Sequence, residues 1–115
     1  MLASTEELTP KKDGVSFQQF IEETYLPWYK TQVKESTYLN RATTIKKHFS
    51  YFYKMETNEI EPIHVQNWQL KLAKDFSPNY IRIVQGMLSI AFDRAIVLGI
   101  AKKNPCLLYT SDAAD

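Results

Sequence analysis

His48, His64 and Cys106 are the only imidazole and thiol groups in a chain of 115 residues, and none stands at ligand or triad spacing from another. A metal centre needs several such groups converging, so two isolated histidines point to none. Cys106 lacks the helix cap or fixed basic neighbour that would make it a thiolate nucleophile. Glu22 with Glu23, and Glu59 with Glu61, are carboxylate pairs, yet nothing around them suggests the dry pocket that raises a carboxyl pKa for acid–base work. No glycine-rich phosphate loop is present. These residues predict no catalytic group, no metal and no cofactor.

Binding chemistry is better represented. Tyr38, Ala42, Ile45, Phe49 and Phe52 recur at steps of four, three, four and three, a narrow apolar stripe on one helix. The opposite face carries Asn40, Thr43, Thr44, Lys47 and Tyr51, with Arg41 and His48 on a flank, and no acid. A helix that meets only water more often mixes Glu and Lys for pairing at four-residue spacing. Amide, hydroxyl and cation together suit phosphate and base-edge contacts. A second polar stripe follows at about 100° per residue, Asn79, Arg82, Gln85, Gly86, Ser89 and Asp93, on a longer helix.

The helices that must position these faces are marked by their ends. Ser77 caps the long helix, Pro78 fits its first position and Gly99 supplies a left-handed stop. Inside it, Ile81, Val84, Leu88, Ala91, Phe92 and Ala95 form one apolar row. Tyr80, Ile83, Met87 and Ile90 form another beside it, which predicts wrapping on two sides. Ser16, with Gln19 three residues on, opens a first helix bearing Phe17, Phe20, Ile21, Tyr25 and Trp28. Pro27 should kink that helix or begin a new turn near Leu26. Trp28 and Tyr29 complete its stripe and read as core and lid. A loop at 34–36 leads to the second helix, about 37–53, and a polar connection at 54–61 leads to a third. The third starts at Pro62, carries Val65, Trp68 and Leu72, and ends near Lys74; Phe76 is placed as a staple ahead of the Ser77 cap. After Gly99, the Asn104–Pro105 pair favours an extended exit. The prediction is an all-α fold of four helices plus a short C-terminal turn. Trp28, Phe49, Phe52, Trp68, Leu88 and Phe92 are expected in its core.

Composition agrees with one ordered domain. A chain of this length buries roughly 65% of the surface its unfolded form exposes, and 44% hydrophobic residues with seven Tyr, six Phe and two Trp argue against disorder. Three glycines leave little room for a turn-rich β fold. No apolar run approaches the ~20 residues of a membrane span, and the first residues lack the apolar centre of a signal peptide, so a cytoplasmic protein is expected. The single cysteine excludes an internal disulfide. The net charge of +1 hides an uneven distribution. Residues 30–54 hold six bases against Glu35, and residues 71–103 hold six against Asp75 and Asp93, so these blocks carry +5 and +4. Ordinary solvated faces also produce such blocks, and charge alone leaves both readings open.

The order of these signals is more specific than any one of them. SFQQFIEETYLPWYK, STYLNRATTIKKHF and IEPIHVQNWQLKLAKDFSPNYIRIVQGMLSIAFDRAIVLGIAKKNP together resemble the core-binding (SAM-like) N-terminal domain of phage-type tyrosine recombinases, particularly integrases of phages and conjugative elements from Gram-positive bacteria. The shared pattern is a first helix ending in an aromatic, a Ser/Thr-started basic helix and an I-x-P entry to a short helix. A Ser-started long helix centred on AF-x-x-A and a closing Asn-Pro complete it. The resemblance covers residues 16–105.

It implies a helical module that grips one face of a core recombination site on double-stranded DNA, in a bacterial host's cytoplasm, during integration or excision. A separate catalytic domain would cover the other face, and other integrase protomers would be partners; neither a membrane nor a small-molecule substrate is implied. The second and fourth helices would lie against the DNA. Lys34, Arg41 and Lys47 are the candidates for phosphates, with Ser36, Thr37 or Ser77 donating from helix starts. Asn40, Thr44, Asn79 and Arg82 are candidates for groove contacts, and Gln85 shares their face. The family's tyrosine nucleophile and its activating residues match nothing here, Tyr109 included, so no strand cleavage is expected from this chain. Residues 1–15 read as a flexible arm. Residues 106–115, CLLYTSDAAD, depart from the family and read as a translated sequencing-library adapter, in which case Cys106 is not native. The competing expectation is a helical protein–protein interaction module that does not bind DNA.

Overall fold

A computed structural model of the chain describes residues 14–106, and the expected arm and tail fall almost wholly outside them. Within this range four helices pack around one aromatic centre, and no strand is present beyond an isolated bridge between Ser16 and Glu56. The expected all-α architecture of four helices is what the chain adopts.

The first helix, α1, runs through residues 17–30 in three consecutive parts: an α-helical turn Phe17–Gln19, a π-helical segment Phe20–Tyr25 and an α-helical end Leu26–Lys30. Ser16 caps it, its hydroxyl accepting from Gln19 N–H at 3.1 Å. The π segment stands where a kink was expected. Leu26 N–H donates to the Ile21 carbonyl five residues back, so the ladder is already wide when Pro27, which has no N–H, enters it.

The helix α2, Glu35–Phe49, begins two residues earlier than the sequence predicts and passes into a 3-10 turn, Ser50–Phe52. Lys34 takes the extended cap position without a side-chain cap, so Ser36 and Thr37 lie inside the first turn. A second 3-10 turn, Thr57–Glu59, belongs to the connection at 54–61, which is more than a polar loop. Met55 and Tyr53 carbonyls accept from Phe17 and Gln18 N–H, and Thr57 N–H donates to Val15. These bonds satisfy N–H groups that a helix start leaves orphaned.

The helix α3, Pro62–Leu72, opens with a reciprocal cap. The Glu61 side chain accepts from His64 N–H, while Glu61 N–H donates to His64 Nδ1 at 2.8 Å. The long helix α4, Pro78–Val97, starts at Ser77, whose hydroxyl accepts from Tyr80 N–H, and stops where Gly99 adopts φ 80°. Ile100 N–H then reaches the Ala95 carbonyl and Gly99 N–H the Ile96 carbonyl, a Schellman closure.

Phe17 is the centre of the core. Its ring lies 5.4 Å from Phe92, 5.8 Å from Phe52, 6.0 Å from Phe49 and 6.1 Å from Phe20, so α1, α2 and α4 all meet on it. Phe49, Phe52, Trp68, Leu88 and Phe92 are fully buried as expected. Trp28 is a correction: it is half-buried at the rim, with the Arg94 guanidinium 4.1 Å over its ring.

Two further corrections concern α4 and the closing segment after it. The second apolar row of α4 is not wrapped: Met87 is buried, but Ile83 is 52% exposed and Ile90 55% exposed. The three other helices cover one side of a 20-residue helix and leave the far side open. Nor does the chain run on extended after Asn104, since Pro105 and Cys106 are helical. Asn104 is buried, its amide donates to the Ser89 carbonyl and hydroxyl and to Asp93 Oδ1, and its Oδ1 accepts from Cys106 N–H at 2.8 Å. Pro105 therefore begins a helical turn, the place in which a missing N–H costs nothing. Cys106 is buried there, and burial, then the Asp93 charge, pushes its thiol up to about 12. A thiol so placed stays protonated and is no nucleophile.

Candidate functional site

The end of α2 and the start of α4 are joined through His48. This residue is spaced from Ile45, Phe49 and Phe52 so that it turns inward with them, and it is buried. Its Nε2 lies 3.0 Å from the Tyr80 hydroxyl, and the Phe76 and Tyr80 rings meet it edge-on at 5.2 and 5.6 Å. Its carbonyl accepts from the Trp68 indole N–H at 3.0 Å, which ties α3 to the same point. Burial, then the neighbouring Lys47 charge, holds the His48 pKa below its ordinary 6.5, so the ring is mostly neutral near neutral pH.

The position of Lys47 is a consequence of this arrangement. With His48 turned inward, Lys47 projects outward, and its Nζ lies 5.7 Å over the Phe76 ring. Phe76 stacks on Tyr80 at 4.7 Å and forms one wall of a groove between α3 and α4. Arg82, Ile81 and Gln85 line that groove too. Lys47 thus lies over a ring that walls the groove which Arg82 also lines.

The expected site residues separate into groups. Asn40, Arg41 and Lys47 are exposed along α2, and Asn79 and Arg82 are exposed on α4. Lys34 and Ser36 are exposed at the start of α2, with Thr37 half-buried beside them. The α2 ladder begins with Tyr38 N–H donating to Lys34, so the N–H groups of Ser36 and Thr37 precede it. Glu35 shares that turn and opposes an anion there. Thr44 donates its hydroxyl back to the Asn40 carbonyl at 3.4 Å, and Thr43 does the same to Leu39, which commits both protons locally. Ser77 uses an oxygen lone pair for its cap. Gln85 is half-buried and accepts from Gln69 Nε2, so it joins α3 to α4. Ser89 and Asp93, in the same stripe, hold Asn104. Of the polar side chains in the α4 stripe, Asn79 and Arg82 at its start therefore face outward without such bonds to other helices.

Sequence reasoning puts His48 on a flank and does not single out Phe76, Tyr80 or Lys71 as neighbours of Lys47. The spacing of His48 from Phe49 and Ile45 carries the first signal. The contact with Phe76 needs the turn between α3 and α4, which spacing within one helix does not encode.

Among the described residues, no three His, Cys, Asp or Glu side chains cluster as metal ligands. No helix of the described residues is long and apolar enough to cross a membrane. A family model described as phage integrase, N-terminal SAM-like domain, matches residues 16–73, half of the chain, covering α1, α2 and α3. No curated protein and no solved structure matches the chain.

Proposed function

The chain belongs to the phage integrase N-terminal SAM-like domain family, and from that premise we propose that its helical unit is the duplex-DNA-binding module of a site-specific tyrosine recombinase. It grips one face of the core recombination site during integration or excision, while strand cleavage belongs to a separate catalytic domain and other protomers complete the assembly in a bacterial cytoplasm. The observation that carries the reading is the link through Phe76: Lys47 of α2 lies over its ring, and Arg82 of α4 lines the groove that the ring walls.

The chemistry is that of backbone positioning. From Lys34 to Lys47 the α2 face is about 20 Å long at ~1.5 Å per residue, comparable with six base steps at ~3.4 Å each. Lys34, Arg41 and Lys47 along it supply charge to phosphates, and the early N–H groups at Ser36 and Thr37 supply directed donors. Asn79 and Arg82 sit at the start of α4, exposed and able to reach a groove edge; Arg82 offers the paired donors that guanine O6 and N7 accept. Asn40 is the corresponding group on α2. Thr44, Ser77 and Gln85, which already hold internal bonds, act as supports or secondary contacts.

Fluorescence anisotropy with a labelled duplex at low salt tests this. Wild type binds with an affinity that falls steeply as salt rises, and Lys47→Glu and Arg82→Glu each abolish most of the binding. Indifference of the wild type to DNA would overturn the reading. A protein-contact module is the second reading, favoured by Ile83, Ile90 and Val97, exposed at seven-residue spacing on α4. That outcome requires the two charge reversals to leave DNA behaviour unchanged.

A further inference from the structure

Beside the α2–α4 junction lies a separate hollow of about 280 Å³, between the end of α2, its 3-10 turn and the end of α3. Its floor is His48, Trp68 and Leu72, all buried, and its mouth is formed by Lys47, Tyr51 and Lys71, all exposed. The donors of the floor are committed internally: the Trp68 indole to the His48 carbonyl, and the Ser50 hydroxyl on the wall to the Lys47 carbonyl at 3.0 Å. What remains along its exposed edge is the side chains of two lysines, Lys47 and Lys71, and of Tyr51. No carboxylate lines the hollow, and among the described residues neither lysine forms an ion pair.

We propose that this hollow seats a DNA backbone phosphate, which makes α3 a third element of the DNA contact through Lys71, with Tyr51 donating from the 3-10 turn. The inference rests on the DNA-binding reading and extends it to residues outside the two faces that the sequence pointed to. Two lysines from different helices at the mouth of one hollow repel each other until an anion sits between them. A lysine ammonium is a compact point charge, suited to a phosphate oxygen whatever its orientation. Tyr51 stands edge-on to Phe52 at 5.1 Å, which holds its ring against the core, and the residue is exposed. Lys47 borders the hollow on one side and reaches Phe76 on the other. The seat therefore shares Lys47 with the α2 face and adds α3 to it.

The test is anisotropy of the full chain with duplexes of two unrelated sequences, titrated across about 50 to about 200 mM salt. Lys71→Gln is expected to lower affinity equally for both sequences and to reduce the slope of log K against log salt by about 0.9, the loss of one phosphate contact. Lys71→Arg restores the slope. Tyr51→Phe weakens binding without changing the slope, because it removes a neutral donor. Lys102→Gln is the control, an exposed lysine on the closing segment beside Asn58, and leaves the slope as in wild type. A wild-type slope in Lys71→Gln, with Arg82→Gln still impaired, overturns the phosphate seat and leaves the DNA reading standing. An equal effect of Lys71→Gln and Lys102→Gln reduces the result to overall charge and also overturns it. A wild type that binds neither duplex removes both proposals together.

Discussion

His48 Nε2 and the Tyr80 hydroxyl meet at 3.0 Å, and this contact holds the last turn of α2 against the first turn of α4. It makes the junction sensitive to acid in a defined direction. Burial first, and the Lys47 charge second, hold the folded-state pKa below 6.5, so the unfolded chain takes up a proton more readily than the folded one. Stability is full above pH 6.5 and is lost as pH falls from there through the folded-state pKa. Thermal melts should give a flat Tm from about pH 8 to about pH 7, then a decline that starts before the carboxylates titrate. In His48→Gln the Tm is lower throughout, and this early decline disappears. The same decline in both proteins would place the titrating group elsewhere.

Phe17 receives rings from α1, α2 and α4, so no neighbouring side chain is free to collapse into its place. Phe17→Ala is expected to cost about 3–5 kcal/mol, a large share of a typical domain's stability. Urea denaturation should show either a midpoint lowered accordingly or a chain that no longer unfolds cooperatively. A loss below about 1 kcal/mol would mean that the aromatic centre lies elsewhere.

Asn104 links the closing segment to α4 by its bonds to Ser89 and Asp93, and it also accepts from Cys106 N–H. Asn104→Ala leaves buried polar groups unmatched, at a cost of about 1–3 kcal/mol. Asn104→Asp should be worse, because it sets a second carboxylate against Asp93. Hydrogen exchange is the sharper measurement: protection should fall at residues 98–106 and the end of α4 while α2 keeps its own. Uniform loss across all helices would show that the segment unfolds only with the whole domain.

The order of helices and most of the core were legible because their signals are local. Ser16, Ser77, Pro78 and Gly99 mark ends by their own chemistry, and Phe49, Trp68 and Phe92 mark inward faces by spacing. What spacing does not carry is which faces meet. The outward turn of Ile83 and Ile90 depended on how many helices surround α4, and the inward turn of Asn104 on two acceptors more than ten residues away. The same holds for the candidate site. Lys47 and Arg82 were readable as members of separate polar faces, but the link of Lys47 to Phe76 and its groove depended on His48 and Tyr80, which no single helix pattern joins.

Ile83 offers a test in which a gain rather than a loss is expected. It is exposed on α4 one residue after Arg82 and four after Asn79, on the open side of the helix, next to Gly86, where nothing lies within 4 Å of an added Cβ. A side chain there forms no part of the core, so Ile83→Lys should change stability by no more than about 0.5 kcal/mol. If the start of α4 lies along DNA, the new ammonium adds a phosphate contact, and the slope of log K against log salt steepens by about 0.9. Ile90→Lys, two turns further along, and Val97→Lys, at the far end, should give progressively less as the helix leaves the Phe76 junction. If the stripe instead meets another protein, all three substitutions weaken that contact and none tightens binding to DNA. Equal tightening by all three would reflect net charge alone, and would remove the claim that DNA approaches the first half of α4.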